Sequence, residues 1–161
     1  MVDAAENQYV AQLEERTGKP NHFFRTMANR PEALKTFVAL YGAIMGPGSV
    51  DRRTKELVYL TVSFTNRCPY CSAAHRASGA KAGITEDEMT ALEAGRFEGF
   101  TEAERAAIRY ARELTLRADA PESREALGGL YKSEQIVELT LVVAMANFTN
   151  RFNNGLSLQP E

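Results

Sequence analysis

Helical spacing of apolar residues, repeated along nearly the whole chain, is the feature that most restricts what this sequence can fold into. The segment that begins at Pro31 places apolar residues every three or four positions: Leu34, Phe37, Val38, Tyr41 and Ile44. No stretch shows sustained alternation of apolar and polar residues bounded by hairpin turns, which is the pattern of exposed strands. We therefore predict an all-α fold.

Residues that typically begin and end helices divide the chain into segments. We predict a short amphipathic helix from Asn7 to Arg16, a helix capped by Asp51 that becomes almost uniformly apolar, and a long last helix from about Ser133 to Asn150. Further boundary signals are two Thr-x-x-Glu capping boxes and a glycine at a helix end: Thr85 with Glu88, Thr101 with Glu104, and Gly83.

Length and composition exclude several classes of function. The 161 residues, 44% apolar and 25% charged, are typical of one globular domain, so we predict a single domain over residues 1–161. A net charge of −2 with interspersed acids and bases provides no basic surface for nucleic acid or anionic lipid. The longest nearly apolar stretch is too short to span a bilayer, and the N-terminus lacks an apolar signal core. We expect a cytoplasmic protein with neither nucleic acid nor membrane as partner.

The only two cysteines of the chain, Cys68 and Cys71, are followed by His75 at spacings of three and four residues. A helix that starts at Cys68 places all three side chains on one face. Pro69 suits the first helical position, so Cys68 would cap the helix and Cys71 would lie in its first turn, near the positive end of the helix dipole. Positive potential favours the thiolate, which is the reactive form. In a reducing compartment, such a pair more often cycles or binds metal than it stabilises a fold.

Glu56 is the residue that we expect to orient His75. It lies on the helix before Cys68, and a turn near Asn66 would bring the two side chains together in a helical hairpin, because both lie at similar distances from the turn. His75 could then pair with the Cys71 thiolate or relay its proton.

Other interpretations of these residues stay open. Cys68, Cys71, His75 and Glu56 could together bind zinc, although structural zinc sites usually draw on two separated ligand pairs. Glu56 could instead pair with a basic neighbour on its own helix. His22 stands alone, and we expect it to be a surface or core residue.

Two further patterns have a structural and a functional interpretation. Six aromatic residues could line a pocket for an organic peroxide, but helical spacing favours core or subunit-interface positions: Phe23, Phe24, Phe64, Tyr70, Phe148 and Phe152. The tetrapeptide FTNR occurs at residues 64–67 and again at residues 148–151. It indicates either a duplicated helical unit or a coincidence.

The arrangement of Glu56, eleven further residues, CPYC at residues 68–71, three residues and His75 resembles the redox motif of the AhpD-like alkylhydroperoxidases, within the wider carboxymuconolactone decarboxylase family. The resemblance is strongest from about residue 39 to residue 110. It implies an all-α multi-helix bundle in which a central helical hairpin carries the CxxC motif. It also implies assembly into homo-oligomers, often trimers or hexamers.

The resemblance further implies an oxidoreductase that reduces hydroperoxides, or the disulfide of a partner such as a peroxiredoxin, without a cofactor or metal. By position, Cys71 would attack peroxide and become a sulfenic acid, Cys68 would resolve it, and Glu56 and His75 would shuttle protons. Dithiols such as lipoyl groups or thioredoxin-like proteins would restore the thiols. Tyr70 stands where the best-known alkylhydroperoxidase has a second histidine, so peroxidase turnover is expected to be weaker or retuned.

Two other functions fit the same residues less well. One is a lyase resembling carboxymuconolactone decarboxylase, which handles an aromatic-catabolism lactone and does not need a cysteine pair. The other is a non-enzymatic oligomer that senses zinc or redox state.

Overall fold

The computed structural model describes all 161 residues, and its regular structure is helical throughout, which confirms the all-α prediction. A short 3-10 turn at Ala4–Glu6 comes before nine α-helices: α1 Gln8–Thr17, α2 His22–Met27, α3 Pro31–Met45, α4 Arg52–Thr65, α5 Pro69–Lys81, α6 Glu86–Glu93, α7 Glu102–Arg117, α8 Pro121–Gly128 and α9 Ser133–Gly155. None of these helices combines the length and apolar character that crossing a lipid bilayer requires.

Most predicted helix boundaries agree with the structure. The Asp51 side chain accepts a hydrogen bond from the backbone N–H of Thr54 (2.9 Å), and both capping boxes form. Gly83 has a left-handed φ of +84° just beyond α5, as its position predicts. The predicted end of α9 at Asn150 was too early, because the helix continues to Gly155. Helices α2 and α8 were not predicted.

Helix α4 lies at the centre of the fold, and its ten residues 54–63 are all buried. It packs against α5, α7 and α9. Lys55 and Glu56 lie within this buried stretch and have no access to water, so each charge needs polar partners inside the protein.

Lys55 ties the loop between α3 and α4 to helix α9. Its ammonium group donates hydrogen bonds to the backbone carbonyls of Ile44 (2.9 Å) and Gly46 (2.7 Å) and forms an ion pair with Glu138 of α9. Glu138 also accepts a hydrogen bond from the backbone N–H of Ser49 (2.8 Å). Burial alone would raise the pKa of Glu138, but the bonds from Lys55 and Ser49 outweigh it and hold the pKa below its usual value.

The two FTNR segments contact each other. Asn66, at the turn between α4 and α5, donates a hydrogen bond to the side-chain carbonyl of Asn150 on α9 (2.9 Å). The Asn150 amide in turn donates to the hydroxyl of Ser63 (3.3 Å). The turn that reverses the chain between the two halves of the hairpin is therefore fixed to α9. This contact gives the repeated asparagines a structural role, whereas duplication stays a hypothesis.

Replacing Lys55 by methionine should lower the free energy of unfolding by about 3 kcal/mol, because Glu138 and two backbone carbonyls would lose their common cation. Urea denaturation followed by circular dichroism measures this change. The matched control is Lys35→Met, which removes an exposed pair with Glu32 and should change stability by less than about 0.5 kcal/mol. Equal effects of the two substitutions would contradict the role assigned to Lys55.

Candidate active site

The start of helix α5 holds the two cysteines. Cys68 is the N-cap residue, as predicted, and its sulfur accepts a hydrogen bond from the backbone N–H of Cys71 (3.3 Å). Pro69 occupies the first turn of α5. A backbone N–H at this position would have no partner within the helix, so its absence in proline costs no hydrogen bond. The cysteines form a disulfide with their Cα atoms 5.4 Å apart, and both side chains are buried. The structure therefore presents the oxidised form of the pair.

Helices α4 and α5 bring Glu56 and His75 into contact, as the predicted hairpin requires. The distance between Glu56 Oε2 and His75 Nδ1 is 2.7 Å. Glu56 is completely buried, and its other oxygen lies 2.5 Å from Nη2 of Arg52, one turn earlier on α4. The carboxylate thus lies between the guanidinium group of Arg52 and the imidazole of His75. The pairing of Glu56 with a basic residue of its own helix, which the sequence left open, is therefore present as well.

Two tyrosines complete the surroundings of His75. The Tyr59 ring stacks on the imidazole with centroids 3.5 Å apart and an angle of 12° between the planes. The Tyr41 hydroxyl lies 3.4 Å from His75 Nε2. Burial raises the pKa of both hydroxyls, and the Glu56 carboxylate raises that of Tyr41 further. Both tyrosines therefore stay neutral at physiological pH, so they can act as hydrogen-bond partners and aromatic walls.

The sulfur of Cys71 contacts a residue that the sequence analysis did not consider. Asn153, on the last turns of α9, donates a hydrogen bond from Nδ2 to Cys71 Sγ (3.1 Å). His75 makes no hydrogen bond to either sulfur, since its nitrogens face Glu56 and Tyr41. The direct pairing of His75 with Cys71 that the sequence allowed is absent from this oxidised form. No cluster of His, Cys, Asp or Glu side chains is arranged to hold a metal ion.

The Tyr70 hydroxyl forms hydrogen bonds with residues other than Glu56 and His75. It donates a hydrogen bond to the Glu161 carboxylate (2.6 Å) and accepts one from the backbone N–H of Phe23 (3.2 Å). Burial, followed by the bond to Glu161, raises the pKa of the hydroxyl. The Tyr70 hydroxyl therefore joins Glu161 to helix α2.

A cavity of about 390 Å³ opens beside the disulfide. Cys71 and His75 line it, whereas Cys68 and Glu56 are fully buried and do not. Its apolar lining is mainly aromatic: Phe23, Phe24, Phe37, Tyr41, Tyr59 and Tyr70. Three basic residues lie among the exposed lining residues: Arg16, Lys19 and Lys81. A bound molecule would meet the sulfur of Cys71 before that of Cys68.

The aromatic residues singled out from the sequence divide between cavity and core. Phe23, Phe24 and Tyr70 line the cavity, so the interpretation as core or interface residues was incomplete for these three. Phe152 packs edge-on against Phe23, while Phe148 is 52% exposed. His22 is half-buried and lies outside the cavity, with Nδ1 3.1 Å from the carbonyl oxygen of Gln159.

Several solved structures share this fold. A peroxidase-related protein from Silicibacter sp. TM1040 is 22% identical with a TM-score of 0.87, over 99% of this chain and 86% of that one. A second, described as an alkylhydroperoxidase AhpD core from Ralstonia eutropha JMP134, is 20% identical with a TM-score of 0.85, over 99% and 87%. The debrominase Bmp8 is 20% identical with a TM-score of 0.85, over 100% and 90%. At these identities the likeness concerns the fold.

Sequence comparison agrees with the structural one. The protein YdfG of Bacillus subtilis (strain 168) is 29% identical over 109 residues, which cover 65% of this chain and 74% of that protein. Residues 31–113, just over half of the chain, match the carboxymuconolactone decarboxylase family. The matched span contains Glu56, both cysteines and His75, all of which meet at the α4–α5 hairpin. The chain therefore belongs to the carboxymuconolactone decarboxylase family.

Proposed function

We propose that this protein is a thiol-dependent peroxidase or disulfide oxidoreductase of the AhpD-like type, which works through Cys68 and Cys71. One observation carries the proposal. Cys71 lines an aromatic cavity and forms a disulfide with Cys68, which does not line it, and the His75 of a Glu56–His75 pair lines the same cavity. A nucleophile, a resolving thiol and a proton carrier are thus present within one hairpin.

The proposed cycle starts from the reduced pair. The Cys71 thiolate attacks the terminal oxygen of a hydroperoxide, so that an S–O bond forms, the O–O bond breaks and an alkoxide leaves and takes up a proton. The Cys68 sulfur then attacks the sulfur of the Cys71 sulfenic acid, which releases water and forms the disulfide. The sum is one hydroperoxide and two thiols converted to one alcohol, one disulfide and one water.

Glu56 fixes the role of His75 in this cycle. Because the carboxylate accepts from Nδ1, a neutral imidazole carries its hydrogen there and leaves Nε2 as the basic nitrogen toward Tyr41. His75 then takes the proton of the Cys71 thiol and returns a proton to the leaving alkoxide. Since the imidazole does not touch the sulfur in the oxidised form, we propose that the proton passes through the molecule bound in the cavity.

The size and lining of the cavity favour an organic hydroperoxide over hydrogen peroxide. A space of about 390 Å³ lies within the usual range for small-molecule sites, and its aromatic walls offer contact surface to an apolar body. The basic residues at its exposed edge, Arg16, Lys19 and Lys81, suit a substrate with an acidic group.

Partners follow from the need to restore the thiols. We propose a dithiol reductant such as a lipoyl group or a thioredoxin-like protein, in the cytoplasm, and a peroxiredoxin disulfide as an alternative oxidant. Homo-oligomer formation is supported by exposed apolar side chains on α3 and α9: Leu40, Val137, Leu141 and Phe148.

Reductive dehalogenation of a halogenated aromatic compound is a second candidate, favoured by the aromatic lining of the cavity beside Cys71. A debrominase of the same fold has been seen in complex with 2,3,4-tribromopyrrole. Two thiols would then reduce a carbon–bromine bond to a carbon–hydrogen bond, with bromide and a disulfide as the other products. Bromide release without hydroperoxide consumption would identify this chemistry. Consumption of a lactone that continues after both cysteines are replaced would instead identify the lyase.

Cysteine substitutions test the peroxidase cycle directly. Cys71→Ser should abolish hydroperoxide consumption, because serine is not ionised at neutral pH and cannot accept the oxygen. Cys68→Ser should stop turnover after one oxidation and leave a sulfenic acid on Cys71 that dimedone labels, as mass spectrometry would show. Full activity of Cys71→Ser, or dimedone labelling of Cys68 in that variant, would overturn the assignment.

Glu56→Gln tests the proton relay. The amide cannot stabilise a charged imidazole, so we expect kcat for cumene hydroperoxide to fall about 100-fold or more, with a changed pH dependence. Glu104→Gln is the matched control, because Glu104 is also a buried carboxylate paired with an arginine, Arg53, but does not line the cavity. If both variants lose stability equally and neither loses activity, Glu56 has only a structural role.

A further inference from the structure

Asn153 contacts the sulfur of Cys71, but it belongs neither to the sequence motif nor to the proposed cycle. It is only 2% exposed, and it reaches the disulfide from α9, a different part of the fold from the hairpin that carries the motif. Its amide N–H donates to Cys71 Sγ over 3.1 Å. A donor at this position interacts more strongly with a thiolate than with a neutral sulfur, because hydrogen bonds to charged groups are stronger.

The other end of the same amide has no partner. Asn153 Oδ1 is buried and accepts no hydrogen bond, whereas nearly all buried polar atoms in proteins are paired. A missing partner in the disulfide form is explained if the partner exists only in another state of the cycle. The protonated Cys71 thiol becomes such a partner when the amide turns by half a revolution about its Cβ–Cγ bond, which brings Oδ1 to the sulfur in place of Nδ2, since the S–H is a weak donor and the disulfide has none.

We propose that Asn153 is a catalytic residue that sets the protonation state of Cys71, donating its N–H to the thiolate and offering its carbonyl oxygen to the S–H of the thiol. The N–H bond to the anion is the stronger of the two, so the amide as a whole favours the thiolate. The proposal deepens the proposed function, because a larger thiolate fraction is what attack on a peroxide requires.

The other titratable groups near Cys71 stay unchanged when Asn153 is substituted. Helix α3 contributes Tyr41, α4 contributes Glu56 and Tyr59, α5 contributes Tyr70, His75 and Lys81, and the remaining charges at the cavity are Arg16, Lys19 and Glu161. Helix α9 contributes no ionisable lining residue, only Thr149 and Asn153. Substitutions at Asn153 therefore change the hydrogen bonding of Cys71 without removing a charged neighbour.

The pH dependence of thiol alkylation tests the inference without any peroxide. In the Cys68→Ser background only Cys71 can react, and serine preserves the helix cap. The rate of iodoacetamide modification against pH then gives the Cys71 pKa. Asn153→Ala should raise that pKa by about one unit, a tenfold smaller thiolate fraction below the pKa. The isosteric Asn153→Asp should raise it further, because a carboxylate accepts from the thiol, cannot donate to the thiolate and repels it.

Asn150→Ala is the matched control, because Asn150 is another buried amide of α9 that contacts Ser63 and Asn66 and not the sulfur. It should lower the thermal midpoint and leave the alkylation profile in place. Unchanged profiles in Asn153→Ala and Asn153→Asp, or an equal shift in Asn150→Ala, would overturn the inference. A shifted profile in Asn153→Ala, together with a wild-type protein that consumes no hydroperoxide, would uphold the inference and refute the proposed peroxidase.

Discussion

Two adjacent buried charges on helix α4, Lys55 and Glu56, impose the arrangement of the elements around them. Both side chains are buried, so each needs polar partners within the protein, and neighbouring positions on a helix point in different directions. Lys55 binds Glu138 of α9 and the loop after α3, while Glu56 binds His75 of α5. The same burial that holds the scaffold together therefore also fixes the imidazole of the candidate site.

The α4–α5 hairpin could be predicted because its determinants are local. Cap residues, the proline after Cys68 and the equal helical distances on either side of Asn66 are all visible in the sequence, and they place Glu56 beside His75 at 2.7 Å. The resemblance to the AhpD-like motif names the same residues, and membership of the wider family is confirmed by the match over residues 31–113. Their catalytic roles stay predictions.

The residues that were missed depend on contacts between distant segments. Tyr41 and Asn153 come from α3 and α9, and nothing in their local sequence distinguishes them from core residues. Helix α9 runs past Asn150 although asparagine has a weak helix propensity. The polar side chains near its end have buried partners elsewhere in the fold, because Asn150 bonds to Asn66 and Asn153 bonds to Cys71.

Three elements build the site: α5 supplies the sulfurs, α4 orients His75, and α9 contacts the sulfur that faces the cavity. The most direct test of the account is an anaerobic stopped-flow titration of the fully reduced protein with cumene hydroperoxide, followed by counting thiols and mapping the disulfide. The account predicts that each hydroperoxide consumed removes about two thiols and creates one bond between Cys68 and Cys71. Hydroperoxide loss with both thiols intact, or no loss at all from the reduced protein, would contradict it.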